Sequence, residues 1–145
     1  MADLVREIMI DARPETIFEF FTVPDKHVQW EGTEAELDPR PGGIYRVLIG
    51  GAHQAAGEYV EVVPNEKVVF TFGWDLEGNP ITPGSTKVEI TLHPEGDKTL
   101  VRLRHTGLPD DDAVGQHTSG WDHYLGRLAV AAAGGDAGPD RPPGA

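Results

Sequence analysis

Near the end of the chain stands the stretch HTSGWDHYLGRLAVAAA, residues 117–133. Its residues Trp121, Tyr124, Leu125 and Leu128 recur at intervals of three and four, which places them on one face of an α-helix. Almost all of the preceding chain has the patterns of β-strands, and a sheet with one apolar face needs a covering layer. Because this is the only long helix that the sequence predicts, we expect it to lie across the sheet.

Short stretches of alternating apolar and polar residues dominate the chain before this helix. The clearest is Val68–Trp74, where Phe70 and Phe72 share one face with the two end residues. Further strands are predicted at Leu4–Asp11, Thr33–Asp38, Ile44–Ile49, Gly57–Val63, Thr86–His93 and Thr99–Thr106. Pro14 and Pro24 each suit the first turn of a short helix. The predicted fold class is α+β, a curved antiparallel sheet of about seven strands gripping the long C-terminal helix.

Three local features carry expectations of their own. Gly57, inside a strand, indicates a bulge or the close approach of another backbone. Gly50–Gln54 lacks alternation and is predicted to be a loose loop. Thr118 or Ser119 could cap a fresh helix, and two nearby glycines weaken helical structure by roughly 1 kcal/mol each. We therefore expect the last helix to be kinked or broken near these two residues.

Composition limits the classes of partner. The 145 residues predict one domain over residues 1–133, and the Gly- and Pro-rich end, GGDAGPDRPPGA, predicts a disordered tail over residues 134–145. A net charge of −12 disfavours nucleic acid and anionic membranes as partners. No basic leader precedes an apolar segment and there is no long apolar run, so we expect a cytoplasmic protein.

The sequence lacks the motifs of most cofactor-dependent and nucleophilic enzymes. There is no cysteine, no Gly-x-Ser-x-Gly elbow, no glycine-rich phosphate loop and no dinucleotide fingerprint. His117 and His123 are six positions apart and do not share a helical face as metal ligands four positions apart do. We predict no metal and no cofactor, and we disfavour triad hydrolases, nucleotide-dependent enzymes and dehydrogenases.

Five stretches, in order, resemble a known family. They are ARPETIFEFFTVPDKHVQW, PGGIYRV, GEYVEVVPNEKVVFTFGW, TKVEITLHPEGDKTLVRLRHTGLP and HTSGWDHYLGRLA. From Leu4 to Ala133 the chain is similar to the proteins named after the C-terminal domain of the activator of heat-shock protein 90 ATPase, within the START/SRPBCC superfamily. The resemblance implies a helix-grip, Bet v-like fold with an apolar cavity. Members of this superfamily include lipid and steroid carriers, plant hormone receptors and polyketide cyclases, so the resemblance implies no single function.

Aromatic and histidine side chains on the predicted inner faces are the candidate ligand-binding residues. They are Tyr45, Tyr59, Phe70, Phe72, Trp74 and His105 on strands, and His117, Trp121, Tyr124 and Leu128 on the long helix. Phe18 and Phe21 of the first helix are further candidates. Core packing is the alternative for every one of them. The balance is closest for Trp74, Trp121 and Tyr124, because an apolar ring with a polar tip suits a pocket for aromatic ligands.

Three functions remain open from the sequence. The first is binding of a small hydrophobic or polycyclic ligand, of the lipid, flavonoid or polyketide class. The second is a cyclase- or aromatase-like enzyme, for which His105 and His117 are weak acid–base candidates. The third is a chaperone ATPase-activating interaction module, which needs an exposed apolar patch. The edge strands of the predicted sheet could also pair with a second copy of the chain, so a homodimer is a further expectation.

Overall fold

The computed structural model of the protein describes residues 2–50 and 53–140. Within these residues seven strands and three helices follow in the order β1 (Ala2–Ile10), α1 (Pro14–Thr22), α2 (Pro24–His27), β2 (Glu34–Leu37), β3 (Ile44–Ile49), β4 (His53–Val63), β5 (Lys67–Asp75), β6 (Thr86–Glu95), β7 (Lys98–Leu108) and α3 (Asp111–Ala132). The strands form one antiparallel sheet in the order β1-β7-β6-β5-β4-β3-β2. The predicted α+β helix-grip architecture is confirmed.

Helix α3 is continuous over its 22 residues, so the expected break near Thr118 and Ser119 is wrong. The helix begins earlier, where the Asp110 carboxylate accepts a hydrogen bond of 2.8 Å from the backbone N–H of Ala113. Two further acidic residues in the first turn favour the positive end of the helix dipole. Burial of the apolar stripe around Leu128 outweighs the low helix propensity of the glycines.

Strand β4 is longer than its sequence pattern predicts. It begins at His53, which pairs with Ile49, so the expected loop over Gly50–Gln54 is wrong for its last two residues. Residues 51 and 52 of that loop lie outside the described residues. The predicted close approach at Gly57 is confirmed, because an added Cβ there would collide with the carbonyl oxygen of Thr71. Pairing with β3 and β5 on both sides holds this segment in the sheet despite its weak alternation.

The end of the described chain folds back on α3 and on the turn after α2. The Arg127 guanidinium donates to the carbonyl oxygens of Trp30 at 2.9 Å, Ala137 at 2.9 Å and Gly138 at 3.0 Å. Asp140 accepts a hydrogen bond of 2.9 Å from the Tyr124 hydroxyl. The disordered tail expected over residues 134–145 thus falls partly on residues with defined contacts, and residues 141–145 lie outside the described part. No helix among the described residues has the length and apolar character needed to cross a membrane.

Candidate functional site

A cavity of about 380 Å³ lies between α3 and the strands β3 to β5. Its walls come from the turn after α2, the ends of β3, β4 and β5, the loop after β5 and one face of α3. The lining residues are Glu31, Ile49, His53, Phe72, Trp74, Leu76, Asn79, Gln116, His117, Gly120, Trp121 and Tyr124. The cavity is therefore largely aromatic, with a few polar groups. Glu31 is the one lining side chain with a formal charge when histidine is neutral.

The structure brings half of the ten candidate ligand-binding residues to this cavity. They are Phe72, Trp74, His117, Trp121 and Tyr124. The other five, Tyr45, Tyr59, Phe70, His105 and Leu128, are buried in the core and do not line it. The rings of Tyr45 and Phe70 stack at 4.0 Å between centroids, which fills the space below the cavity. Of the two further candidates, Phe21 is buried and Phe18 is half-buried, and neither lines the cavity.

Seven lining residues were missed by the sequence analysis: Glu31, Ile49, His53, Leu76, Asn79, Gln116 and Gly120. Two of them had a usable signal, because Gln116 and Gly120 lie eight and four residues before Tyr124, on the same face of the helix. Glu31 had none, since it follows a four-residue helix in an irregular turn. An acidic residue in such a turn is ordinarily exposed.

His117 is held by hydrogen bonds on both ring nitrogens. The indole N–H of Trp74 donates to Nε2 at 3.1 Å, and Nδ1 lies 2.8 Å from the carbonyl oxygen of Ala113. An indole N–H only donates and a carbonyl only accepts, so the proton of the neutral ring must be on Nδ1. Burial lowers the pKa of His117, and the bond to Ala113 partly opposes that shift.

His105 is held in the opposite tautomer. The indole N–H of Trp121 donates to Nδ1 at 3.1 Å, so the proton is on Nε2, which donates to the Thr86 hydroxyl at 2.8 Å. That hydroxyl donates in turn to the carbonyl oxygen of Phe72 at 2.7 Å. Burial, and to a lesser extent the neighbouring His117, lower the pKa of His105 to about 3. We call Trp74–His117 and Trp121–His105 the indole–histidine pairs.

Glu31 is only 2% exposed, and its hydrogen bonds lead away from the cavity. His27 Nε2 lies 2.9 Å from Oε1, and the Tyr45 hydroxyl donates to the same oxygen at 3.4 Å. His27 Nδ1 lies 3.0 Å from the carbonyl oxygen of Phe20 and must donate to it, so a further proton is needed between Nε2 and Oε1. Two donors on one oxygen fit a carboxylate paired with an imidazolium. We call His27, Glu31 and Tyr45 the Glu31 site.

Two phenols next to this carboxylate keep their protons. Burial raises the pKa of Tyr45 well above its usual value, and the negative charge of Glu31 raises it further. Burial also raises the pKa of Tyr124, followed by the charges of Glu31 and Asp140. Both hydroxyls therefore act as hydrogen-bond donors at neutral pH. In the part of the chain that the structure describes, no three His, Cys, Asp or Glu side chains form a group that could hold a metal ion.

The fold and cavity geometry agree with a family relationship over most of the chain. The family model described as "Activator of Hsp90 ATPase homolog 1-like protein" matches residues 11–133. This chain belongs to that family. The resemblance seen in the sequence is thereby confirmed. Among proteins with curated descriptions, none matches the chain significantly.

Solved structures extend the comparison. An AHSA1-like protein from Rhizobium etli is 46% identical, covers 96% of this chain and 86% of its own, and has a TM-score of 0.76. The Aha1 dimer from Colwellia psychrerythraea is 20% identical over 93% of this chain and 98% of its own, with a TM-score of 0.80. An HSP90 activator from Plasmodium falciparum is 19% identical over 90% of this chain and 96% of its own, with a TM-score of 0.74. The last two show a shared fold alone.

Proposed function

We propose that this protein binds a small hydrophobic or polycyclic aromatic molecule in the cavity between α3 and the sheet. One observation carries the proposal: a space of about 380 Å³ is walled by Phe72, Trp74, Trp121 and Tyr124. Small-molecule sites are concave, mostly apolar and supplied with a few polar groups, and their volumes begin at roughly 300 Å³. Burial of an apolar ligand there would contribute about 25 cal/mol per Å², before the costs of ordering it.

The sequence suggests four polar groups for orienting the ligand, namely Tyr59, His105, His117 and Tyr124, and of these His117 and Tyr124 line the cavity. Tyr59 donates its hydroxyl proton to the carbonyl oxygen of Phe21 at 3.2 Å, and His105 is fully buried behind Trp121. Neither reaches the cavity. Further polar groups along its walls are Glu31, His53, Asn79 and Gln116. A ligand that bonds to any of these has to present hydrogen-bond donors or acceptors at matching positions.

The geometry favours binding over acid–base catalysis by histidine. A cyclase- or aromatase-like reaction needs a group that exchanges a proton with the substrate. In His105 and His117 both ring nitrogens are already bonded within the protein. Protonation of either ring would also place a new imidazolium N–H directly against the indole N–H that donates to the same nitrogen. These two histidines are therefore better suited to positioning Trp74 and Trp121 than to chemistry.

A chaperone-activating module receives less support. The large apolar side chains that are exposed, Val5, Met9, Val60, Leu76 and Val130, come from several different elements. An interaction surface of this kind calls for a contiguous apolar patch. The HSP90 activator of Plasmodium falciparum shares the fold but only 19% of the sequence. The cavity remains the better-developed feature.

We also propose that the protein works in the cytoplasm, and we propose a homodimer as the alternative to a monomer. Strands β1 and β2 form the two edges of the sheet and could pair with a second copy. The Colwellia protein, which has the same fold, forms a dimer. The net charge of −12 argues against nucleic acid and anionic membranes as partners. Light scattering on the purified protein over a range of concentrations tests for the dimer.

A thermal-shift screen with flavonoids, sterols, fatty acids and polyketides tests the binding function. A ligand at 100 times its dissociation constant adds about 2.7 kcal/mol of stability, which raises the melting temperature by several degrees. The Gly120→Leu variant sharpens the test, because a Cβ at Gly120 meets nothing within 4 Å and its side chain would enter the cavity. Leucine also favours the helix over glycine.

The matched control is Gly126→Leu, on the same helix but exposed and away from the cavity. We expect Gly120→Leu to fold and to lose the ligand-induced shift, while Gly126→Leu keeps it. The absence of any hit among the four ligand classes would contradict the proposal. So would a hit that both variants retain.

A further inference from the structure

One carboxylate oxygen of Glu31, in the cavity wall, accepts no hydrogen bond from the described residues. Both hydrogen bonds of Glu31 within the described residues end on Oε1. Among the described residues, none donates a hydrogen bond to Oε2. Glu31 lines the cavity, and the whole residue is only 2% exposed. Oε2 is therefore the carboxylate oxygen left for a ligand in the cavity.

The positive groups near this end of the cavity are committed elsewhere. His27 bonds to Oε1 and to the carbonyl oxygen of Phe20. Arg127 directs its five N–H groups to backbone carbonyl oxygens of the turn after α2 and of residues 137–139. Neither side chain lines the cavity, and no lysine or arginine of residues 2–50 and 53–140 does. A ligand carboxylate or phosphate would meet Glu31 with no cation in the wall to offset it.

A second carboxylate acts on the same region. Asp140, whose side chain is 4% exposed, accepts the hydroxyl proton of Tyr124 at 2.9 Å and the backbone N–H of Gly32 at 3.1 Å. His123 Nε2 lies 3.4 Å from its other oxygen. Tyr124 lines the cavity, and the charges of both Asp140 and Glu31 reach its hydroxyl. The Tyr124 hydroxyl in the cavity wall thus lies near two carboxylates and the Arg127 cation, and of these three charged groups only Glu31 lines the cavity.

Resting on the binding function proposed above, we infer that the cavity selects an apolar or aromatic molecule carrying a protonated amine, with the ammonium group on Glu31 Oε2. The aromatic walls add to this preference, because the faces of Trp and Tyr rings attract cations within about 6 Å. A charge-assisted hydrogen bond to a carboxylate is roughly twice as strong as one between neutral groups. The same wall rejects fatty acids and other anions.

Three probes with one aromatic body test this selectivity: 2-naphthylmethylamine, 2-naphthalenemethanol and 2-naphthoate. Their dissociation constants at pH 7 are measured by isothermal titration calorimetry on the full chain. We expect the amine to bind about tenfold or more tightly than the alcohol, and the carboxylate to bind most weakly. This ranking needs no variant, so it holds as a test even where a substitution disturbs folding.

Glu31→Gln and Glu34→Gln form a matched pair of variants. Each removes one negative charge, but Glu34 is exposed on β2 and does not line the cavity. We expect Glu31→Gln to abolish the preference, so that the ratio of the amine and alcohol dissociation constants falls from about tenfold to about one. Glu34→Gln should leave all three constants unchanged.

The outcomes separate the amine preference from the binding function. Equal binding of amine and alcohol to the wild-type protein overturns the amine preference while leaving the binding function intact. The same conclusion follows if both variants lower amine affinity equally, since that is a general charge effect. If none of the three probes binds, the binding function itself fails for this ligand body.

Discussion

The indole–histidine pairs and the Glu31 site hold buried titratable groups beside the same cavity. They differ in whether their hydrogen bonds leave a polar atom free to bond to a ligand. In the pairs, donor-only indoles fix His105 and His117 as neutral rings with both nitrogens bonded. In the Glu31 site, His27 and Tyr45 converge on one carboxylate oxygen and leave the other toward the cavity. The first arrangement stabilises the walls, and the second leaves an acceptor for a ligand.

This difference shows why burial and a shifted pKa alone do not identify a functional group. The most strongly shifted histidine, His105, has a pKa lowered to about 3 and every polar atom bonded within the core. Structural hydrogen-bond networks perturb pKa values as active sites do, so the deciding observation is an unused polar atom that reaches the cavity.

Among variants of the indole–histidine pairs, Trp121→Ala is expected to cause the largest loss in the free energy of unfolding. The variant removes a buried indole, which costs roughly 3–5 kcal/mol. It also leaves Nδ1 of the fully buried His105 without its donor, which adds roughly 1–3 kcal/mol. Urea unfolding followed by circular dichroism measures the change. Near-wild-type stability together with lost ligand affinity would instead make Trp121 a binding residue rather than a part of the structure.

Breaking the Glu31 site is expected to cost slightly less. His27→Leu removes the imidazolium partner and leaves the Glu31 carboxylate buried, at a cost of about 3–5 kcal/mol. In the double variant His27→Leu/Glu31→Leu no charge is left unpaired, so most of that stability should return. A double-mutant cycle by urea unfolding measures the coupling. Additive losses in the double variant would show that the two side chains do not form the pair described here.

The two regions also differ in how far the sequence predicts them. Alternation in β5 and helical spacing in α3 place Phe72, Trp74, Trp121 and Tyr124 on inner faces, and the structure has them in the cavity wall. Periodicity gives the face of a residue and not its depth. Phe70 shares a face with Phe72 but stacks on Tyr45 in the core.

The remaining site residues depend on tertiary contacts. Glu31 reaches the cavity because the four-residue helix α2 and the turn after it pack beneath α3, an arrangement without periodicity in sequence. The contacts of Asp140 depend on the fold-back that Arg127 fixes, which a Gly- and Pro-rich composition does not signal. Composition reports on local preference, whereas one half-buried arginine that donates to several backbone carbonyl oxygens can order a short segment.

Mild acid is expected to lower the free energy of unfolding by about 1–2 kcal/mol through the histidines of the indole–histidine pairs. In the unfolded chain His105 takes up a proton near pH 6.5, but the folded protein resists this until about pH 3. The unfolded state therefore binds more protons between these values, and stability falls as pH drops below about 6.5. The lowered pKa of His117 acts in the same direction. We expect the free energy of unfolding of the wild-type protein to fall by about 1–2 kcal/mol between pH 7 and pH 5 from this cause. Urea unfolding at each pH measures the change.

The control is His105→Gln, which keeps a polar side chain but cannot titrate. Its stability should depend less steeply on pH over the same interval, whatever its absolute value. An identical slope in wild type and variant would contradict the lowered pKa of His105. The interval stops at pH 5 because the many carboxylates titrate below it.

The smallest expected effect distinguishes the two indole–histidine pairs from each other. Trp→Phe at either position removes the N–H donor and keeps an aromatic ring. At Trp121 the abandoned acceptor is His105, which is fully buried, so the unsatisfied nitrogen costs roughly 1–3 kcal/mol. At Trp74 the abandoned acceptor is His117, which is half-buried and lines the cavity, where water can replace the indole. Trp74→Phe should therefore be the milder variant by about 1 kcal/mol in urea unfolding, although it removes the same chemical group. The reverse order would mean that the cavity beside His117 excludes water as completely as the core around His105, and it would strengthen the expectation of a dry, apolar site for the ligand.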